Sequence, residues 1–97
     1  MRPEQQTLAI PQAMRTAWEH HGAGRLPEAE RICQSLLQVD PNHPDALNLL
    51  GVIANQAGKS ELSIELIDRA IRHQPSNPNF LSNLGVAYYG LRRSEEA

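Results

Sequence analysis

The side chains with which this chain could do chemistry are one cysteine, Cys33, four histidines, His20, His21, His43 and His73, and the acidic pairs Glu28/Glu30 and Glu95/Glu96. A metal site needs His or Cys partners at ligand spacing, and these histidines have none. His20 and His21 are adjacent, so on a helix they point to different sides, and solvated histidines account for the set. Cys33 shares a helical stripe with Ala29, Leu36 and Leu37, which marks a small core residue and not an activated nucleophile. There is no glycine-rich phosphate loop and no nucleophile–base arrangement, and the acidic pairs lie on solvated helix starts. No catalysis, cofactor or metal is expected of this chain by itself.

Composition narrows the partners. The net charge is −2, the pI is near 6.0, and no basic run exceeds Arg92-Arg93, which argues against a nucleic-acid partner. A single cysteine cannot form an internal disulfide, so a reducing cytoplasmic setting is expected. Near the N-terminus the apolar stretch Leu8-Ala9-Ile10 is too short for a signal-peptide core. The most apolar segment, Ala46–Ala54, is interrupted by Asn48 and is about half of the ~18–20 residues needed to span a bilayer, so no membrane partner is expected.

The elements that must position these residues come from a period of 34. Ala17, Gly51 and Gly85 fall in register, as do Ala29, Ser63 and Ala97, Gly24 and Gly58, Pro41 and Pro75, and Pro44 and Pro78. Such self-similarity marks a solenoid, whose units bury their apolar faces only against neighbours. In the middle unit Leu47, Leu50, Gly51 and Ala54 form one helical stripe, flanked by Ala46, Ile53 and Ala57. Pro44 or Asp45 starts that helix and Gly58 stops it. Ser60 caps a second helix with apolar Leu62, Ile64, Leu66, Ile67, Ala70 and Ile71, ended at Gln74-Pro75. Shifting by the period predicts helices near Pro11–Ala23 and Pro27–Val39, and a third unit with a helix from Pro78 to Gly90 and Ser94 as the next cap. The small residues Ala17, Gly51 and Gly85 are expected where the two helices of each hairpin approach most closely, facing Ala29, Ser63 and Ala97.

The pattern Leu47-x2-Leu50-Gly51-x2-Ala54, Ser63-x3-Ile67, Ala70, Pro75, and in the next unit Leu81-x2-Leu84-Gly85-x2-Tyr88, resembles a tetratricopeptide repeat array of bacterial type. The resemblance implies an all-α fold, an α-solenoid of helix–turn–helix repeats in a right-handed superhelical stack. It divides the chain into a flexible tail over 1–9 and an array over 10–97, with a degenerate unit 10–43, a complete unit 44–77 and a truncated unit 78–97. The first unit is the poorest match, because its first helix offers Ala13, Thr16, Ala17 and His20.

Proteins similar to this one bind extended peptides or partner helices in a concave groove lined by the first helix of each unit. The corresponding face here carries Met14, Asn48 and Ser82; Trp18, Val52 and Val86; and His21, Asn55 and Tyr89, with Arg15, Leu49 and Asn83 beside them. Its aromatic, methionine and amide side chains suit a neutral, partly apolar peptide whose backbone the asparagines can bond. Asn83 matches the place of an asparagine ladder used by some family members; Leu49 and Arg15 do not. A carboxylate clamp would need cations along this strip, where Met14, Trp18, Asn48, Val52 and Ser82 stand. The Arg25, Lys59 and Arg93 series follows helix C-termini, where a cation gains ~0.3–1 kcal/mol from the dipole, so it is not read as a basic binding ridge.

The expected function is therefore a protein-interaction or scaffolding module. The alternative is an N-terminal substrate-recruiting arm of a larger enzyme such as a glycosyltransferase or sulfotransferase. Because a stable array is expected to close with a capping helix, the chain is expected to be a piece of a longer protein, or else to self-associate through Leu81, Leu84 and Tyr88 of its third unit.

Overall fold

The computed structural model describes the backbone of residues 3–96 and the side chains of residues 12–96. All regular structure among them is helical: α1 (Pro3–Gly22), α2 (Leu26–Val39), α3 (Pro44–Gln56), α4 (Ser60–His73) and α5 (Pro78–Glu96). Met1, Arg2 and Ala97, and the side chains of the expected tail, lie outside the described residues.

Two glycines turn the first two hairpins. Gly24 and Gly58 each have φ +81°, the left-handed region that residues with a Cβ enter at a cost of ~1–2 kcal/mol. That conformation lets the Arg25 N–H donate back to the His20 carbonyl at 2.8 Å, and the Lys59 N–H to the Ala54 carbonyl at 2.8 Å, closing the orphaned carbonyls of α1 and α3. Arg92 occupies the matching place in the third unit. No such turn forms there. The helix expected to stop at Gly90 runs on to Glu96, and Ser94 lies inside it instead of capping another. Arg92 Nε donates to Glu96 Oε1 at 3.0 Å across one turn of this extension.

Helix starts also differ from expectation in detail. The side-chain caps are His43, whose Nδ1 accepts from the Ala46 N–H at 3.2 Å, and Asn77, whose Oδ1 accepts from the N–H groups of Asn79 and Phe80 at 3.0 and 3.3 Å. Ser60 is not a cap: Lys59 holds that place without a side-chain bond, and the Ser60 hydroxyl donates to Asn55 Oδ1 at 2.8 Å. Arg25 likewise stands at the N-cap of α2, its Nε donating to His20 Nδ1 at 2.8 Å; Arg25 and Lys59 follow the C-terminal ends of α1 and α3 as expected, while Arg93 lies within α5. At the other end, α1 begins at Pro3 and passes through Pro11, where the helix was expected to start; Glu4, Gln5, Gln6, Leu8 and Ala9 before it are mostly strong helix formers.

Packing is between neighbours only. Each helix packs on the next in sequence, and α3 also meets α1 and α5. The first helices of the units therefore form an inner layer and the second helices an outer one. One core lies between α1, α2 and α3, around Met14, Ala17, Cys33, Leu49 and Ile53; the other lies between α3, α4 and α5, around Leu47, Ile67, Phe80 and Ala87. Complete burial of Leu47 and Leu49 contributes about 1.5–3 kcal/mol each.

Candidate peptide groove

The inner layer brings part of the expected strip together. A cavity of about 340 Å³ is bounded by all three inner helices: Trp18 from α1, Asp45 and Asn48 from α3, and Phe80, Ser82 and Asn83 from α5. Asn77 and Asn79 complete its rim at the start of α5. Between α3 and α5, Asn83 Nδ2 donates to Asn48 Oδ1 at 3.1 Å, so two amides of successive units are tied across the inner layer. Further along, His21 Nε2 donates to Gln56 Oε1 at 2.8 Å, bridging α1 and α3, and the Trp18 and His21 rings meet edge to face with centroids 5.4 Å apart.

Nine of the twelve strip residues remain reachable from solvent. Trp18, Arg15, Ser82, Val86 and Tyr89 are exposed, and His21, Val52, Asn55 and Asn83 are half-buried. Arg93 sits with its guanidinium 5.9 Å from the centre of the Tyr89 ring, within cation–π range. Three residues do not belong to an exposed strip. Leu49 and Met14 are core residues, at 0% and 7% exposure, and Asn48 is buried at 3%. The correction has a physical origin: α3 is flanked by an inner helix on each side, so Asn48 and Leu49 on its lateral faces are covered, while the matching Ser82 and Asn83 on α5 have a neighbour on one flank; Met14 of α1 reaches into the core that α1 shares with α2 and α3.

Sequence reasoning missed the groove's N-terminal rim. Asp45 and Asn79 occupy one repeat position, and Asp45 was read only as a helix-start residue. Their place at the start of inner helices was the available signal, since the first turn of such a helix borders the mouth of whatever cleft the layer forms. Elsewhere, no group of three or more His, Cys, Asp or Glu side chains among the described residues is placed to hold a metal ion, and no described helix is long and apolar enough to cross a membrane.

Comparison with known proteins now bears on this layer. The tetratricopeptide repeat family matches residues 14–78 and again residues 56–97. The chain belongs to the tetratricopeptide repeat family. A peroxisomal targeting signal receptor of Yarrowia lipolytica (strain CLIB 122 / E 150) is similar to it, 34% identical over 65 residues, which make up 67% of this chain and 11% of the receptor. This tetratricopeptide repeat chain thus spans only a small part of that relative, and its repeats make it a protein-interaction module.

Cys33 behaves as a core residue of the first hairpin. It is fully buried, and loss of water pushes its thiol from the ordinary 9.0 up to about 12, with the Glu30 carboxylate adding in the same direction. The folded chain should resist iodoacetamide at neutral pH and react promptly in urea. Because the folded thiol holds its proton more tightly than the unfolded one, its contribution to stability is complete below about pH 9 and is lost as pH rises toward 12. Cys33→Ala should flatten that alkaline decline, measured by urea unfolding at successive pH values.

Proposed function

We propose that this tetratricopeptide repeat chain binds an extended peptide segment of a partner protein along the inner layer formed by α1, α3 and α5. The observation that carries the reading is the cavity shared by all three inner helices, with an exposed Trp18 and the Asn83–Asn48 amide pair in its lining. An extended segment needs apolar surface for its side chains and amide groups for its backbone. Trp18, Val86 and Tyr89 supply the first, exposed by 40%, 57% and 63%, and Asn83 retains a carbonyl oxygen as an acceptor for the second. Asp45 is the one charged side chain on the cavity wall, which favours a neutral or weakly basic segment. The similarity to a targeting signal receptor is in keeping with a peptide partner.

Panning a random peptide library displayed on phage against the chain should recover binders. For a peptide so selected, Trp18→Ala should weaken binding by about 2 kcal/mol, roughly thirtyfold, as expected of a tryptophan anchor. Leu62→Ala, on the outer layer and 42% exposed, should leave affinity within twofold or so. The reverse pattern, with Leu62 essential and Trp18 dispensable, would move the binding surface to the outer helices.

A further inference from the structure

One flank of α5 is apolar and exposed, and it carries a glycine that no contact in the chain explains. Leu81, Gly85 and Tyr88 share a helical stripe, and the two side chains are 49% and 52% exposed. Glycine within a helix weakens it relative to alanine, and its use is to let another backbone come close. At the matching position of the second unit it does so: a Cβ on Gly51 would stand 2.5 Å from Ile67 Cγ1 of α4. A Cβ on Gly85 would meet nothing within 4 Å, so the face that accepts a helix on α3 is present on α5 and open. From Pro78 to Leu91 this helix holds no charged residue, as suits the core of an interface.

We infer that this flank pairs with the same flank of a second copy of the chain, the two α5 helices packing antiparallel about a two-fold axis. The stripe is self-complementary in that orientation. Setting Leu81 of one copy against Tyr88 of the other places the half-buried Leu84 of each beside the open space at Gly85 of its mate. Charge favours the same orientation. Arg92 is paired with Glu96, and Arg93 lies against the Tyr89 ring, so Glu95, seven residues beyond Tyr88 on the stripe, is the charge this end presents. An antiparallel pair carries Glu95 toward the start of the other α5, where the helix dipole is positive and where Arg72 and His73 close α4. A parallel pair would set the two Glu95 carboxylates side by side. The pairing uses a different side of α5 from the peptide groove and does not depend on it, since Ser82, Val86 and Tyr89 lie about 100° further round the helix. One pair of helices makes a small interface, so the dimer is weak and forms as concentration rises.

Sedimentation equilibrium at increasing concentration should show the chain passing from monomer to dimer. Leu81→Lys sets a charge against Tyr88 of the other copy, and Gly85→Leu fills the space that Leu84 enters; each should weaken the dimer roughly tenfold or more. Neither should lower the urea midpoint of the dilute monomer, because both positions are open in the single chain. Val86→Lys, on the groove side and 57% exposed, should leave the dimer intact. Disulfide trapping reads the orientation, with Cys33 buried and out of the exchange. Leu81→Cys mixed with Tyr88→Cys should give a covalent dimer, and either variant by itself should not, because like positions of an antiparallel pair then stand about 10 Å apart, beyond disulfide reach. A dimer indifferent to Leu81→Lys and Gly85→Leu, or one trapped by Tyr88→Cys alone, would overturn the proposal. So would a chain that stays monomeric at every concentration, which would leave the flank to a helix of another protein.

Discussion

Gly51→Leu should destabilise the chain by about 3 kcal/mol or more, at the upper end of what overpacking a core costs, while Gly85→Ala one repeat later should stabilise it by about 0.5–1 kcal/mol. The two glycines share a repeat position and a helical backbone, yet their surroundings differ. A Cβ on Gly51 would lie 2.5 Å from Ile67 Cγ1 and 3.2 Å from the Ser63 carbonyl oxygen; one on Gly85 would meet nothing within 4 Å. Ile67 is fully buried and cannot swing aside, and the Ser63 carbonyl is helix backbone, so even a methyl must separate α3 from α4. Gly51→Ala should therefore cost about 1–2 kcal/mol, the packing penalty reduced by the better helix propensity of alanine. At Gly85 only the propensity gain remains. Urea unfolding of the three variants measures all of this, and a Gly51→Ala protein as stable as the wild type would show that α3 and α4 do not meet at this point.

Phe80→Ala should be the most damaging truncation on α5, at about 3–5 kcal/mol, against a total stability of about 5–15 kcal/mol for a domain of ordinary size. Phe80 is 2% exposed and packs with Leu47, Ile67 and Ala70, so it joins the third unit to the second. One period earlier the same position holds Ala46, also fully buried, which means the two interfaces fill one repeat position with side chains of very different volume. Phe80 is the largest buried side chain of this core, which Leu37, Ile64, Ile71 and Leu84 flank, so its loss removes the centre of the packing between the two units. The expected result is a chain whose α5 loses amide protection before α1–α4 do, read by hydrogen exchange. Tyr89→Ala, at 63% exposure, should stay within about 0.5 kcal/mol of the wild type, which separates loss of core from loss of any aromatic ring.

Much of the exposed inner face was legible from spacing, because an inner helix presents the same positions every 34 residues and those positions cannot also face the hairpin partner. Trp18, Val52, Val86 and Tyr89 were located this way. Met14, Asn48 and Leu49 were misplaced for a reason that periodicity cannot express: a position has the same direction in every unit, but its burial depends on which neighbours stand beside that unit. The Asn48–Asn83 bond was equally out of reach, since it joins two residues that the repeat places in different columns of the strip.

What the sequence determined by itself was the type of element, the period and the hairpin turns, because these rest on local chemistry: apolar spacing, proline at helix starts, and glycine where the backbone must turn left-handed. Arg92, in the place of Gly24 and Gly58, even carried the local reason for the long α5, although it was not read so. Only the tertiary structure decided which copies of a repeated position are core and which are surface, where Gly51 forces two helices together, and that the Ser63 hydroxyl is buried without a partner. Those properties belong to pairs and triples of helices, and a single helix, however clearly its period is written, does not contain them.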